Sequence, residues 1–205
     1  MRTMQVSENI LSKPIWLHDE YANYNLLPNG AILKPESVPM IQNGKVYSGS
    51  LVGRNANMKK FALISPTAAD LNYNNATTLA ADALATDTLI KVSDVDGYVA
   101  GQAITVGGSA ATIASVSAVQ GTITLAAALG AARAAGSAVV LTTPVAHDEI
   151  YLMATNILNA YELSEFTLLR HQRMIYQNKL PDWATTSMYV RGLIRARYVC
   201  LDALA

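Results

Sequence analysis

The chain has little charge. Only 15% of its 205 residues are charged, against roughly 25% in an average globular protein. Lysine plus arginine and aspartate plus glutamate both number 15, so no net field attracts nucleic acid or anionic lipid. A surface poor in charge leaves apolar area exposed, and large exposed apolar patches mark interfaces. We therefore expect self-association or docking on a large partner, rather than nucleic-acid binding or a monomeric metabolic enzyme.

The chain also lacks cysteine pairs and long apolar runs. Cys200 is the one cysteine, which excludes an intrachain disulfide and a cysteine metal site and favours folding in a reducing cytoplasm. The first 20 residues lack the continuous apolar run of a signal peptide, and no run of about 18 apolar residues occurs anywhere. We expect neither export by a signal peptide nor a membrane-spanning segment.

Few titratable groups cluster in the sequence. The densest group is His147-Asp148-Glu149, where a cleft could hold a general base, but no Gly-x-Ser-x-Gly elbow accompanies it. The favoured interpretation of His147 is a solvated turn before a strand. His171 is interpreted as structural or interfacial. No catalytic residue is predicted.

Two loops resemble ligand motifs only in part. Residues Ser93 to Gly97 carry two carboxylates of a calcium loop, but the distal glutamate is missing, which favours an ordinary turn. Gly107-Gly108 is not followed by a P-loop lysine and predicts a hairpin. We expect no metal and no cofactor.

Residues 76–143 differ in composition from the rest of the chain. They are rich in alanine, and Lys91 and Arg133 are their only basic residues. Short β-type runs at 88–92, 102–106, 111–116, 122–125 and 138–141 are separated by glycine turns, which predicts a compact all-β module. Alanine favours helix, so residues 126–135 could add one or two helical turns.

The residues on either side of this module predict a separate arm and a separate β-rich body. Residues 1–28 are interpreted as an extended arm, and residues 29–75 plus 144–205 as one β-rich body into which the module is inserted at a loop. Strands are expected at 31–34, 46–52, 61–64 and 167–176. Residues 150–161 fit a strand or a helix, and we prefer the strand. Helical spacing from Ser187 to Leu201 predicts a C-terminal helix.

The predicted fold class is mainly β. It comprises a small β-barrel or sandwich-like body, the inserted β-module and the C-terminal helix. Large aromatics in a segment without core periodicity act as anchors in a partner's pocket or pack locally, and arginine forks suit interfaces as well as solvated faces. The candidate partner-binding residues are Trp16, Tyr21, Tyr24, Arg191, Arg195 and Arg197.

Four segments together resemble a known family. They are residues 29–34 (Asn-Gly-Ala-Ile-Leu-Lys), 44–53, 148–152 and 177–183, and they look like those of tailed-bacteriophage head decoration (capsid cement) proteins. The phrase Gly-Gln-Ala-Ile-Thr-Val-Gly-Gly in the module is similar to small β-modules of phage virion proteins. The chain departs from the family by carrying this module and a longer C-terminal helix.

The resemblance implies a structural virion protein without catalytic residues. Such a protein is made in the host bacterial cytoplasm, forms a homotrimer on the outer capsid surface and bridges neighbouring major capsid protein subunits. It touches neither the packaged nucleic acid nor a membrane. Two alternatives stay open: a tail or baseplate attachment protein whose module binds carbohydrate, and an enzyme of unknown class that uses the His147 region.

Overall fold

The computed structural model describes residues 31–37, 45–157, 165–169 and 171–202. These residues form fifteen short strands and one α-helix. In chain order they are β1 (Ala31–Ile32), β2 (Leu51–Arg54), β3 (Ala62–Leu63), β4 (Asn72–Tyr73), β5 (Ala76–Thr78), β6 (Leu89–Lys91), β7 (Ala103–Val106), β8 (Ser109–Ser117), β9 (Thr122–Leu125), β10 (Ala138–Leu141), β11 (Val145–Ala146), β12 (Glu149–Leu152), β13 (Glu165–Phe166), β14 (Met174–Tyr176), α1 (Met188–Arg197) and β15 (Val199–Leu201). The mainly β fold class with a C-terminal helix is confirmed. No helix in the described ranges has the length and hydropathy needed to cross a bilayer.

The chain divides into two compact units. The first, which we call the β unit, comprises residues 54–60 and 71–149. The second, the helix unit, comprises residues 1–53, 61–70 and 150–205, of which the ranges given above are described. The β unit contains all of the 76–143 segment that composition marks as a module. It extends beyond that segment at both ends and includes residues 54–60.

Six antiparallel strands form one curled sheet in the β unit, in the order β5-β10-β7-β8-β9-β6. Side chains alternate between the two faces of a strand, and in β10 Val139 and Leu141 are buried while Ala138 is exposed. The inward-facing residues make one apolar core, which includes Leu79, Ile90, Val92, Ile104, Val106, Ile113, Ile123, Leu125, Leu129, Val139 and Leu141. All five β-type runs predicted in the module are strands.

The two outer strands of this sheet meet at one end. Leu79, directly after β5, forms a bridge with Val92, directly after β6. The Ala80 N–H donates to the Lys91 carbonyl at 2.9 Å, and the Ser93 N–H donates to the Thr78 carbonyl at 2.9 Å. These bonds satisfy backbone groups that a free sheet edge would leave unpaired.

The predicted hairpin at Gly107-Gly108 joins β7 to β8. Val106 pairs with Ser109, so the loop has two residues, with φ of 52° at Gly107 and 90° at Gly108. A type I′ turn needs positive φ at both central residues, which glycine adopts without steric penalty. Arg133 holds this turn, because its Nε donates to the Val106 carbonyl at 3.2 Å and its Nη2 to Ser109 Oγ at 2.7 Å.

The one or two helical turns that the sequence allowed at residues 126–135 do not form. The backbone there is irregular and pairs with the loop before β6: the Leu129 N–H donates to the Asp87 carbonyl at 3.0 Å, and Arg133 forms a bridge with Ala83. Leu129 is buried in the core of the β unit. Burial and long-range hydrogen bonds outweigh the small helix propensity of alanine.

The helix unit is built from smaller sheets. Strands β12-β2-β3 form a three-stranded sheet, β1 pairs with β13, and β14 pairs in parallel with β15. Phe61 contacts Phe166 edge-to-face, with ring centroids 6.1 Å apart, in a core that also contains Leu33 and Met153. The preferred strand at 150–161 is present over 150–152 as part of β12, and residues 158–161 lie outside the described ranges.

Three other predictions in the helix unit need correction. The strand expected at 46–52 begins only at Leu51, because Gly49 has a φ of 89° within a turn. The strand expected at 167–176 is limited to Met174–Tyr176, because Gln172 has a φ of 63° in another turn. The C-terminal helix ends at Arg197 and does not include Leu201, because Tyr198 takes an extended conformation and leads into β15.

Candidate partner-binding surface

Helix α1 begins at Met188, one residue after the predicted start at Ser187, which is its N-cap. The Ser187 hydroxyl accepts from the Val190 N–H at 3.1 Å, which is the capping bond that serine makes at a helix N-terminus. The same hydroxyl donates to the Ala68 carbonyl at 2.7 Å. Val190 and Ile194 face the interior and are buried. The opposite side of the helix is therefore turned toward solvent.

The solvent side of α1 carries Met188, Arg191 and Arg195. Positions i, i+3 and i+7 share one face of a helix. Met188 is 90% exposed, an extreme value for a large apolar side chain. With Trp183, which precedes the helix, these residues form what we call the arginine face (Trp183, Met188, Arg191 and Arg195).

Arg191 fixes the position of Trp183. Its guanidinium carbon lies 4.9 Å from the centroid of the Trp183 ring, within the range of a cation–π contact. Its Nη2 donates to the Trp183 carbonyl at 2.5 Å and to the Ala184 carbonyl at 3.1 Å. Arg191 thus holds the turn before α1 against the helix.

Arg195 is held on two sides but stays exposed. Its guanidinium carbon lies 5.6 Å from the Trp183 ring centroid, and its Nε donates to Gln177 Oε1 at 2.9 Å. Gln177 is buried and in turn donates from Nε2 to Asp202 Oδ1 at 2.8 Å. Arg195 makes no ion pair within the described part of the chain.

The structure joins two of the six candidate partner-binding residues. Arg191 and Arg195 meet over one tryptophan, whereas Arg197 lies on another side of α1 and donates from Nη1 to the Leu193 carbonyl at 3.3 Å. The aromatic candidates in the predicted arm, Trp16, Tyr21 and Tyr24, lie outside the described residues. Sequence reasoning missed Trp183, although a tryptophan just before a helix with two arginines one turn apart is a detectable signal.

His147 is not in a solvated turn, contrary to the expectation. It is 5% exposed and stacks on Tyr73, with ring centroids 5.2 Å apart. Its Nδ1 is buried without a hydrogen-bond partner. Burial lowers the pKa of His147 to about 4, although the nearby Asp148 carboxylate acts in the opposite direction. The side chain packs as a neutral aromatic ring.

His171 has a structural position, which is one of the two interpretations given above. Its ring stacks on Tyr151 at 4.6 Å between centroids and meets the Tyr198 ring edge-to-face at 5.7 Å. Its Nε2 lies 2.7 Å from the Ile150 carbonyl, which it reaches as a donor. The Tyr198 hydroxyl accepts from the Leu152 N–H and donates to the Leu169 carbonyl. This arrangement anchors the end of α1.

The loop with two carboxylates binds N–H groups of its own chain. Asp96 accepts from the backbone N–H groups of Lys59 and Lys60 at 2.7 and 2.9 Å. Asp94 pairs with the Lys60 ammonium at 2.8 Å. Within the described chain no group of three or more His, Cys, Asp or Glu side chains could hold a metal ion. The carboxylates instead tie residues 54–60 into the β unit.

A groove of about 600 Å³ lies beside this loop in the β unit. Its lining includes the apolar residues Val95, Val99 and Val116 together with Lys59 and Lys60. Tyr98, the only aromatic residue of the 76–143 segment, is 4% exposed and donates its hydroxyl to the Asn75 and Val139 carbonyls. It therefore offers no ring on which a sugar could stack.

No protein-family model and no curated protein matches this chain. The function is therefore inferred from residues and geometry. The arginine face is the strongest candidate site in the described residues, because tryptophan, methionine and arginine are the residue types enriched at the centres of protein interfaces.

Proposed function

We propose that this chain is a structural virion protein, a decoration or cement protein of a tailed-bacteriophage head. It binds the outer surface of the head as a homotrimer and bridges neighbouring major capsid protein subunits. Its action is mechanical: it stabilises the shell against the pressure of the packaged genome without touching that genome.

The observation that carries the proposal is the exposed arginine face. Met188 is almost fully exposed, and Trp183 lies beneath two guanidinium groups. A large apolar side chain and an oriented arginine beside it are favourable in a protein interface, where both lose water to a partner. On a free monomer, the same exposure of Met188 contributes nothing to folding.

Weak contacts suffice for such a role when several copies act together. A trimer presents three arginine faces to one shell, and binding of the first raises the effective concentration of the others. The low charge of the chain also favours contact with a large protein surface over contact with DNA. Both features fit a protein that coats a repeating lattice.

The two alternative functions have less support. Binding of carbohydrate by the 76–143 segment is disfavoured because Tyr98 is buried. Catalysis at His147 is disfavoured because its imidazole is enclosed and stacked on Tyr73, out of reach of a substrate. No observation favours either alternative over the shell-binding role.

Copy number in purified virions tests the proposal. Quantitative mass spectrometry against the major capsid protein is expected to find nearly equal numbers of the two chains. A handful of copies per particle would instead indicate a tail or baseplate attachment protein. Absence from purified particles would contradict the proposal.

A substitution on the arginine face sharpens the test. Met188→Asp is expected to reduce the number of copies that rebind to shells lacking the protein, because a buried unpaired carboxylate is costly at an interface. The helix itself tolerates an acidic residue in its first turn. Val119→Asp is the matched control, since Val119 is 99% exposed but lies at the β8–β9 turn of the β unit. Equal losses in both variants would contradict a role for the arginine face.

A further inference from the structure

We propose that Arg195 is a preformed receptor for a carboxylate group, and that the arginine face therefore docks onto an acidic segment of its protein partner. This inference rests on the proposed function, because it names the chemistry of the partner at the same surface. Three features support it: Arg195 is held in place, it has no directly paired carboxylate in the described ranges, and the other two arginines of α1 donate to backbone carbonyls.

Arg195 is oriented before any partner arrives. The Trp183 ring lies below the guanidinium, and Gln177 accepts from Nε at 2.9 Å. Gln177 is itself fixed, because it is buried and donates to Asp202 at 2.8 Å. The outer edge of the guanidinium, formed by its two Nη groups, is the edge that binds a carboxylate through two parallel hydrogen bonds. Prior orientation lowers the entropy lost when the partner binds.

The carboxylate of Asp202 reaches Arg195 only indirectly, through the Gln177 amide. Helix α1 contains three arginines and no acidic residue, and Arg195 makes no ion pair in the described ranges. Arg54 and Lys60, by contrast, pair with Glu149 and Asp94. The arginine face thus carries two guanidinium groups and no carboxylate of its own, and a carboxylate of a partner would be attracted to it.

A carboxylate explains this surface better than a phosphate backbone does. Nucleic-acid binding draws its affinity from many phosphate contacts, but Arg191 already donates to two carbonyls and Arg197 lies on another side of α1. One exposed guanidinium over Trp183, on the helix side that also carries Met188, matches a single Asp or Glu side chain with apolar neighbours. The inferred partner segment is thus acidic and partly apolar.

Titration of the intact protein with an oligoglutamate peptide tests the inference. Calorimetry gives the affinity, and NMR of the ¹⁵N-labelled chain follows the Arg195 Nε–H and the Trp183 indole N–H. We expect saturable binding that shifts both signals. Arg195→Gln should weaken binding by about tenfold, the loss expected for one charge-assisted hydrogen-bonded pair. Arg195→Lys, which keeps the charge but not the planar fork, should recover only part of the affinity.

Arg197→Gln is the matched control. It removes the same charge from the same helix on a different side, and we expect binding to change by no more than about twofold. Equal weakening in the Arg195 and Arg197 variants, or no saturable binding, would overturn the inference. Tighter binding of a single-stranded oligothymidylate of equal charge would also overturn it, in favour of nucleic acid. Thermal melts of each variant separate loss of binding from loss of folding.

Binding to shells distinguishes this inference from the proposed function. If the Arg195→Gln variant binds shells as well as the wild type does, the carboxylate-receptor inference is contradicted and the decoration role is still supported. If the protein binds oligoglutamate but is absent from virions, the decoration role is contradicted and the carboxylate-receptor inference is still supported.

Discussion

Burial assigns different roles to the charged and titratable side chains of this protein. His147 is buried and Arg191 is partly buried, and both serve packing, His147 as a ring on Tyr73 and Arg191 as a donor to the carbonyls of residues 183 and 184. Arg195, four residues after Arg191, keeps its guanidinium in solvent. The same residue type, one helical turn apart, is structural in one position and available to a partner in the next.

Burial of His147 makes stability depend on pH. The His147 pKa is about 4 in the folded chain and near 6.5 when unfolded, so the folded state favours the neutral ring. This contribution is complete above pH 6.5, declines as pH falls and is lost near pH 4. The wild type should lose up to about 3 kcal/mol more of its unfolding free energy between pH 7 and pH 4 than His147→Phe does. Urea titrations at each pH measure the difference, and identical pH profiles would contradict it.

The pairing of β7 and β8 in the β unit depends on the turn that joins them. Strand β7 has four residues and β8 has nine, and their register is set by the two-residue turn between them. Arg133 reaches this turn from residues 126–135, for which the sequence allowed one or two helical turns, and it bonds to both sides of the turn. The turn is therefore supported by local glycine geometry and by a distant side chain.

Alanine substitutions at the two glycines of this turn should distinguish the contribution of glycine backbone geometry from that of Arg133. At Gly108, a Cβ meets no atom within 4 Å, so Gly108→Ala should cost about 1–2 kcal/mol of unfolding free energy through positive φ alone. Gly101→Ala is the control, with a φ of 85° and the same open space. At Gly107, a Cβ would lie 2.7 Å from Arg133 Cδ, so Gly107→Ala should cost more than either. Equal losses at all three positions would exclude a role for Arg133.

At the scale of the whole molecule, low charge and divided architecture point to association. Two compact units share one chain of which 15% of residues are charged. Each unit has its own apolar core, and large apolar side chains such as Leu84, Leu89 and Met188 are left exposed. Scattered exposed apolar residues are normal, but in a chain with so few charged residues they add to the apolar area that a partner can cover.

We predict that the full chain is a trimer in solution. Light scattering during size-exclusion chromatography should give three times the mass of the 21.9 kDa chain. Because the expected contacts are mainly apolar, raising the salt concentration should not dissociate the trimer. A monomeric mass at micromolar concentration would contradict the prediction.

The candidate site was only partly predictable from sequence. Helical spacing located α1 and the arginines at 191 and 195, and the N-cap role of Ser187 became clear only in the structure. Arg197 was grouped with these two arginines by its charge, although residues two positions apart in a helix lie about 200° apart around its axis. Trp183 and Gln177 became part of the site through contacts with Arg195 from residues 12 and 18 positions earlier.

Local patterns in the sequence determined the mainly β class, the strands of the module, the glycine hairpin and the start of the C-terminal helix. These features depend on alternation, turn chemistry and capping, which act over a few residues. Tertiary structure decided the irregular path of residues 126–135, the end of α1 at Arg197, the burial of His147 and the stacking of Arg195 on Trp183. Each depends on contacts between residues far apart in the chain, whose burial and hydrogen bonds outweigh local propensity.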